Sequence, residues 1–205
     1  MDGAPRGPAS DPTDPLAVVE PMSTSSLWQP LLAASVALLA VPSRSSAQAA
    51  PAPRPAPRAE DVRTIDGIVK AFYEIVSGPG DQPRDWARDS TLYIDDVRFV
   101  AAGADQAGRR RLRVMDHAQF AEYSAPVYAG GFYERELHRV TRRYGSIAHV
   151  FSTYETRTTP TGPVSGRGVN SLQLFFDGER WWIASATWQS ERPDAPIPAE
   201  FLPED

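Results

Sequence analysis

The chain has 205 residues, with 21 basic and 26 acidic side chains and a formal net charge of −5 at neutral pH. This length predicts one domain with a tail, and the balanced charge excludes the basic surface that nucleic-acid binding requires. The sequence contains no cysteine. Disulfides, thiol chemistry and cysteine-ligated zinc are therefore excluded.

The first 60 residues have the composition of a leader followed by a spacer. Residues 31–41 form an apolar run that is too short to cross a bilayer as a helix, which takes about 20 residues. The small-x-small pattern Ala47-Gln48-Ala49 follows it, as at a signal-peptidase site. We predict that residues 1–49 are a signal-like leader cleaved near Ala49, which implies a periplasmic or secreted protein without a stable membrane span. The alternative is an Ala/Pro-rich tail that only resembles a signal, and the protein is then cytoplasmic. Residues 50–60 form a Pro/Ala-rich linker.

Helices are predicted in the first half of the domain, which we place at residues 61–191. Residues 61–76 carry apolar side chains at the spacing of an amphipathic helix, and a Gly-Pro-Gly sequence ends it. A short second helix is predicted to start at Asp85 and to run toward residue 92 or 93. Asp116 and Gln119 form the capping box of a third helix, which Pro126 or the glycine pair after it ends.

Strands dominate the second half of the domain. Residues 97–101 and 111–115 predict a strand pair, and residues 132–144 and 147–158 predict two long strands. Residues 167–189 predict two more, which fold back at the Asp-Gly pair 177–178. Beyond them, residues 192–205 form a Pro-rich tail that lies against the domain or extends from it.

A two-residue turn at Asp177 and Gly178 would fix the register of the last hairpin. It would place Leu174 opposite Trp181, and strand alternation would then assign side chains to an inner and an outer face. The predicted inner set of the hairpin is Asn170, Leu172, Leu174, Trp181, Ile183, Ser185 and Thr187.

The order of these elements resembles that of a known superfamily. The strand sequence GSIAHVFSTYETR and the closing hairpin RGVNSLQLFFDGERWWI are similar to those of NTF2-like proteins, including the SnoaL-like proteins. The resemblance implies an α+β fold, a cone-shaped barrel with three N-terminal helices packed on a curved, mostly antiparallel sheet. The superfamily holds ketosteroid isomerases, dehydratases, epoxide hydrolases, transport factors and binding proteins, so the fold does not fix the function.

In a fold of this kind, the space between the helices and the concave sheet is the default ligand site. His117 and Tyr154 are the catalytic candidates, although a first-turn histidine such as His117 is equally expected to be exposed. Three glutamates, at 134, 136 and 155, are expected to pair with arginines on a wetted surface. No spacing indicates a metal site, and no phosphate loop indicates a cofactor. The predicted ligand-binding residues are Tyr73, Tyr123, Ser152, Tyr154, Asn170, Leu172, Trp181, Ser185 and Thr187.

The outer face of the predicted sheet is apolar, which indicates an interface because monomers rarely expose such patches. We therefore expect a homodimer. The alternative is that residues 193–202 fold back over this face. The predicted interface residues are Val169, Gln173, Phe175, Trp182 and Trp188.

Three functions stay open at the level of the sequence. The first is an exported domain that binds a small, largely apolar molecule without catalysis, since no acid/base pair is evident. The second is an enzyme of the isomerase, dehydratase or hydrolase type. The third is a non-catalytic, dimeric interaction module.

Overall fold

The computed structural model describes residues 54–105 and 107–204, so the predicted leader lies outside the described residues. None of the helices in this part of the chain combines the length and the hydropathy of a membrane span. The helices are α1 (Ala59–Val62), α2 (Ile65–Val76), α3 (Trp86–Ser90) and α4 (His117–Tyr128), with a 3₁₀ turn at Ala199–Phe201. The strands are β1 (Tyr93–Ala104), β2 (Arg110–Met115), β3 (Tyr133–Tyr144), β4 (Ile147–Arg157), β5 (Gly166–Phe176) and β6 (Trp181–Ser190).

The strands form one six-stranded sheet in the order β2-β1-β6-β5-β4-β3. Every neighbouring pair is antiparallel except β1 and β6, which are parallel. Apolar side chains of α2 and α4 join those of the inner sheet face in a single buried core. The predicted fold class, α+β with helices on a curved and mostly antiparallel sheet, is confirmed.

The helices begin at capping residues, and their bounds correct the predicted ones. The single helix predicted for residues 61–76 is two helices, because Thr64 is extended and its hydroxyl accepts a hydrogen bond from the Gly67 amide at 2.9 Å. Asp85 and Asp116 cap α3 and α4 as predicted, the latter in a capping box. Helix α4 does not end at Pro126 but runs to Tyr128, just before the glycine pair that was the other predicted end.

The last hairpin has a longer turn than predicted. Phe176 pairs with Trp181, and residues 177–180 form the loop. The Asp177 carboxylate accepts hydrogen bonds from the amides of Glu179 and Arg180, both at 2.8 Å. The predicted two-residue turn is therefore wrong, because the aspartate side chain stabilises a wider loop. The register differs from the predicted one by two residues, so the faces next to the turn remain as predicted.

Two β-bulges then reverse the faces farther from the turns. Leu137 is an extra residue on β3, between the pairs Glu136–Tyr154 and His138–Thr153. Ala184 is an extra residue on β6, between the partners of Leu174 and Gln173. Because one extra residue inverts the alternation of a strand, every side chain beyond each bulge changes face.

The bulge at Ala184 overturns three of the predicted positions. Ser185 and Thr187 were expected on the inner face and lie on the outer one, paired with Gln173 and Ser171. Trp188 was expected at an outer interface and instead lies on the inner face, against α4. The alternation predicted before the bulge holds, since Trp181 is buried and Trp182 is half-buried on the other side.

Both ends of the described chain cover parts of the outer face. The Phe201 ring lies 4.9 Å from that of Phe151, and Thr153 donates a hydrogen bond to the Phe201 carbonyl. The Arg54 guanidinium lies 5.7 Å from the centre of the Trp182 ring. Phe175 keeps 44% of its surface exposed. The fold-back expected as the alternative to an interface therefore occurs over one part of this face.

Candidate functional site

A cavity of about 260 Å³ lies between α2, α4 and the ends of the strands beyond the two bulges. Its wall is mostly aromatic and aliphatic, with a few polar groups from the sheet. The lining residues are Phe72, Val76, Phe99, Phe120, Tyr123, Ser124, Val127, Tyr128, Phe132, Glu134, Tyr154, Thr156, Gly166, Arg167, Asn170, Trp188 and Ser190.

Stacked aromatic rings form one wall of this cavity. The rings of Phe99 and Phe120 are parallel, with centroids 4.2 Å apart. The indole of Trp188 meets Phe120 edge-on at 5.9 Å. Trp188 takes this position only because the bulge at Ala184 turns it inward. The wall offers a flat apolar ring a surface to pack against.

Glu134 is the only ionisable carboxyl among the residues that line this cavity, and the end of α2 holds it in place. Its amide donates to the Ser77 hydroxyl at 2.9 Å, and that hydroxyl donates in turn to the Tyr73 carbonyl of α2 at 2.7 Å. Backbone hydrogen bonds of 2.7 and 3.0 Å join Gly78 to Phe132 just before it. Because β3 is an edge strand, these contacts replace a missing strand neighbour and fix where the carboxyl points.

The chemistry of Glu134 differs from that expected of a surface glutamate. No basic side chain in the described residues lies within ion-pair distance of it. Burial raises the pKa of Glu134 to about 8, and a hydrogen bond from Asn170 opposes that rise. The pKa of this carboxyl therefore lies close to neutral pH.

The pairing predicted for the three glutamates is thus wrong for Glu134 and right for the other two. Glu136 pairs with Arg139 at 2.5 Å, and Glu155 pairs with Arg135 at 2.6 Å. The bulge at Leu137 turns residues 134 and 136 together to the inner face, where Arg139 pairs with Glu136 and no basic side chain of the described residues pairs with Glu134.

Tyr154 and Asn170 place hydrogen-bonding groups on the same cavity. Burial raises the pKa of Tyr154 to about 12, with a hydrogen bond to Ser190 opposing the rise, so its hydroxyl remains a donor. Gly168 pairs with Tyr154 across the strands, and a methyl group there would collide with the tyrosine oxygen. Glycine at this position therefore gives the tyrosine ring its room.

A second, larger cavity of about 630 Å³, lined mostly by charged residues, lies on the other side of Glu134. Tyr73 lines it, and burial raises the pKa of Tyr73 well above its usual value. The Tyr73 hydroxyl lies 2.6 Å from the Ser152 hydroxyl, and Asn170 Nδ2 donates to it at 3.1 Å. Glu134 lines both spaces, so its carboxyl stands between an apolar chamber and a charged one.

The other predicted ligand residues are divided between the cavity wall and the core. Tyr123 lies at the cavity mouth, with 41% of its surface exposed and the Arg113 guanidinium 5.0 Å from its ring centre. Leu172 and Trp181 are buried in the core and do not line the cavity. Ligand binding by any of these side chains stays a prediction.

His117, the second catalytic candidate, lies outside this cavity. Its Nε2 is 2.7 Å from Oδ2 of Asp89, whose carboxyl is fully buried. Tyr93 donates a longer hydrogen bond of 3.3 Å to the same carboxyl. The structure therefore brings His117 to Asp89 and does not bring it to Tyr154. Among the described residues, no cluster of three or more histidine, aspartate or glutamate side chains could hold a metal ion.

No family model and no curated protein sequence matches the chain. Solved structures do resemble it. A protein of unknown function with a cystatin-like fold, from Nostoc punctiforme, matches with a TM-score of 0.49 and 10% identity over 64% of this chain and 91% of its own. An NTF2-like protein of unknown function from Silicibacter pomeroyi matches with a TM-score of 0.43 and 12% identity over 62% of this chain and 92% of its own. The order of the elements and of the strands is that of an α+β fold with one mostly antiparallel sheet.

A third structure of this kind is a variant of a Mycobacterium tuberculosis protein of unknown function. It matches with a TM-score of 0.49 and 15% identity over 66% of this chain and 75% of its own. These resemblances concern the fold alone and assign no activity to the cavity.

Proposed function

We propose that the protein binds a small, largely apolar carbonyl compound in the 260 Å³ cavity and that Glu134 exchanges a proton with it. The observation that carries this proposal is a carboxyl with a pKa of about 8 on the wall of an aromatic cavity. A general acid or base works best when its pKa lies near the working pH. The proposal therefore favours an enzyme of the isomerase or dehydratase type over a binding protein without catalysis.

The neighbouring donors fit such a proton transfer. When ionised, Glu134 would take a proton from the carbon next to the carbonyl group, and the negative charge would move to the carbonyl oxygen. The Tyr154 hydroxyl lines the same cavity and could donate a hydrogen bond to that oxygen, while the Asn170 amide stabilises the ionised form of Glu134. Glu134 would then return the proton to the same or a neighbouring carbon.

The test uses 2-tetralone, a bicyclic ketone, as the probe in deuterated water. We expect the wild-type protein to speed the exchange of its acidic protons for deuterium, and Glu134→Gln to slow that exchange by about 100-fold or more. The rate should rise with pH and level off above about pH 8, because the ionised carboxyl is the base. Proton NMR of the probe measures the exchange.

Glu155→Gln is the matched control, since Glu155 lies on the outer face and is paired with arginines. This variant should exchange the probe at the wild-type rate. Equal exchange by the wild type and Glu134→Gln would contradict the acid–base role. If the probe bound without any exchange, the first of the functions predicted from the sequence, binding without catalysis, would replace the proposal.

We also propose that the protein is exported. The support is the apolar run and the Ala47-Gln48-Ala49 pattern, both outside the described residues. Expression of the full chain in a bacterial host should give a mature periplasmic form that begins at Ala50, as measured by intact-mass spectrometry. A full-length product confined to the cytoplasm would contradict export.

We further propose a homodimer through the part of the outer face that the chain ends leave open. Its support is the exposure of two paired apolar side chains, with 44% of Phe175 and 59% of Ile147 accessible. Sedimentation of the wild type should report a dimer, and Phe175→Arg should sediment as a monomer. A wild-type monomer at high concentration would contradict this arrangement.

A further inference from the structure

A chain of hydrogen bonds leads from the cavity to the charged side of β3. Asn170 Nδ2 donates to the Tyr73 hydroxyl at 3.1 Å, and that hydroxyl lies 2.6 Å from Ser152 Oγ. Ser152 Oγ donates to Glu136 Oε1 at 2.5 Å. Glu136 in turn accepts two hydrogen bonds from the Arg139 guanidinium, at 2.8 and 2.5 Å.

The last member of this chain fixes the direction of every bond in it. An ionised carboxylate can only accept, so Ser152 must use its one hydrogen to donate to Glu136. Ser152 can then only accept a hydrogen bond from Tyr73, and the Tyr73 hydroxyl donates its single hydrogen to that bond. The remaining partner of Tyr73 must therefore be a donor. Asn170 meets this need with its amide nitrogen and not with its carbonyl oxygen.

We propose that Glu136 is a positioning residue of the cavity, whose carboxylate sets the orientation of the Asn170 amide through Ser152 and Tyr73. Glu136 touches neither the apolar cavity nor Asn170 and acts only through the two hydroxyls between them. The inference rests on the proposed function, since it names the residue that orients a donor of that site.

The orientation matters because the two ends of an amide have opposite roles. With the nitrogen toward Tyr73, the second Nδ2 hydrogen is free to serve Glu134, whose pKa Asn170 lowers against the larger effect of burial. Rotation of the amide by half a turn would replace this donor by an oxygen. The ionised form of Glu134 would then lose a hydrogen bond, and its pKa would rise.

The experiment observes the side-chain amide of Asn170 and the carboxyl of Glu134 by NMR in the protein without ligand. Ser152→Ala breaks the chain without changing any charge. We expect it to move the Asn170 amide signals and to raise the pKa of Glu134 by about one unit, which is a tenfold change in its acid dissociation constant. Tyr73→Phe breaks the chain at another bond and should move the same two signals if Ser152→Ala does not fold.

Glu136→Gln should also move the Asn170 signals, because a glutamine amide both donates and accepts and so permits either direction. Asp66→Asn is the matched control, since Asp66 binds Arg139 at 2.5 Å but has no place in the chain. Asn170 signals that match the wild type in Ser152→Ala and Glu136→Gln would overturn the proposal. Equal shifts in Asp66→Asn would overturn it as well, because they would indicate an effect of charge alone.

These readouts need no substrate, so they separate this inference from the proposed function. Loss of probe exchange in Glu134→Gln bears on the reaction, whereas the Asn170 signals bear on the hydrogen-bond chain. A protein that failed to exchange the probe but showed the expected Asn170 shifts would retain the positioning role and lose the acid–base role.

Discussion

The inner face of the sheet has two parts that obey different rules. Next to the turns, it is closed by apolar side chains such as Val150, Leu174 and Ile183, each of which has at most 2% of its surface exposed. Beyond the bulges, the same face carries a carboxyl and an indole around an open cavity. Local alternation predicts the first part correctly. In the second part it places Tyr154 and Asn170 correctly and fails for the residues beyond the bulges on β3 and β6. The difference shows that the candidate site is built where the strands depart from regular pairing.

The bulges also divide the inner face into a part that stabilises the fold by packing and a part that holds the candidate reactive group. Val150, Leu174 and Ile183 carry no polar side-chain group, so they contribute packing alone. The part beyond them holds Glu134 in an environment that disfavours its charge. Such a group costs stability when ionised, and a fold retains costs of this kind mainly at functional sites.

The largest effect that would sharpen this contrast is the pH dependence of Glu134→Gln. The folded pKa of Glu134, about 8, lies above its ordinary value of 4.5. Above about pH 4.5 the unfolded chain releases this proton, whereas the folded protein keeps it until about pH 8. The free energy of unfolding of the wild type is therefore highest below about pH 4.5 and falls as the pH rises toward 8. Relative to wild type, the free energy of unfolding of the variant should rise by up to about 5 kcal/mol across this pH range. Denaturant unfolding at several pH values measures it, and parallel pH profiles would contradict the contrast.

A second prediction compares packing in the two parts. Ile183→Ala should destabilise the protein by about 2 to 5 kcal/mol, because it removes a fully buried side chain. Tyr154→Phe should cost only about 0.5 to 1.5 kcal/mol, since it removes a hydroxyl and keeps the ring. Urea unfolding measures both. Equal costs would mean that the cavity wall is packed as tightly as the core, and the contrast would fail.

The smallest expected effect distinguishes the two faces by fluorescence. Addition of 2-tetralone should change the emission of the wild-type protein. Trp188→Phe should lose most of this change, because Trp188 lines the cavity, and Trp182→Phe should keep it, because Trp182 lies on the outer face. The reverse result would place Trp188 on the outer face and contradict the bulge at Ala184.

The sequence predicted what local spacing determines. The apolar stripe of α2 and the capping box at Asp116 and Gln119 were predicted and are present. The turn next to Gly145 also predicted the end of β3 and the start of β4 correctly, with Tyr144 opposite Ile147. These features depend on neighbours within a few residues.

The site depended on features that no local pattern marks. Neither Leu137 nor Ala184 is a glycine or carries another sign of a bulge, so the reversal of faces depends on tertiary packing. Glu134 was for this reason assigned to ion pairs. The partner of His117 was equally hidden, because Asp89 lies 28 residues away along the chain.

The central claim is that the bulge at Leu137 turns the Glu134 carboxyl into an aromatic cavity, and the pKa of that carboxyl tests it most directly. Carbon NMR of labelled glutamate, with Glu134→Gln to assign the signal, follows the titration. The account predicts a midpoint near pH 8. A midpoint near the ordinary value of 4.5 would contradict it, since a carboxyl that titrates there is solvated and lies outside the cavity.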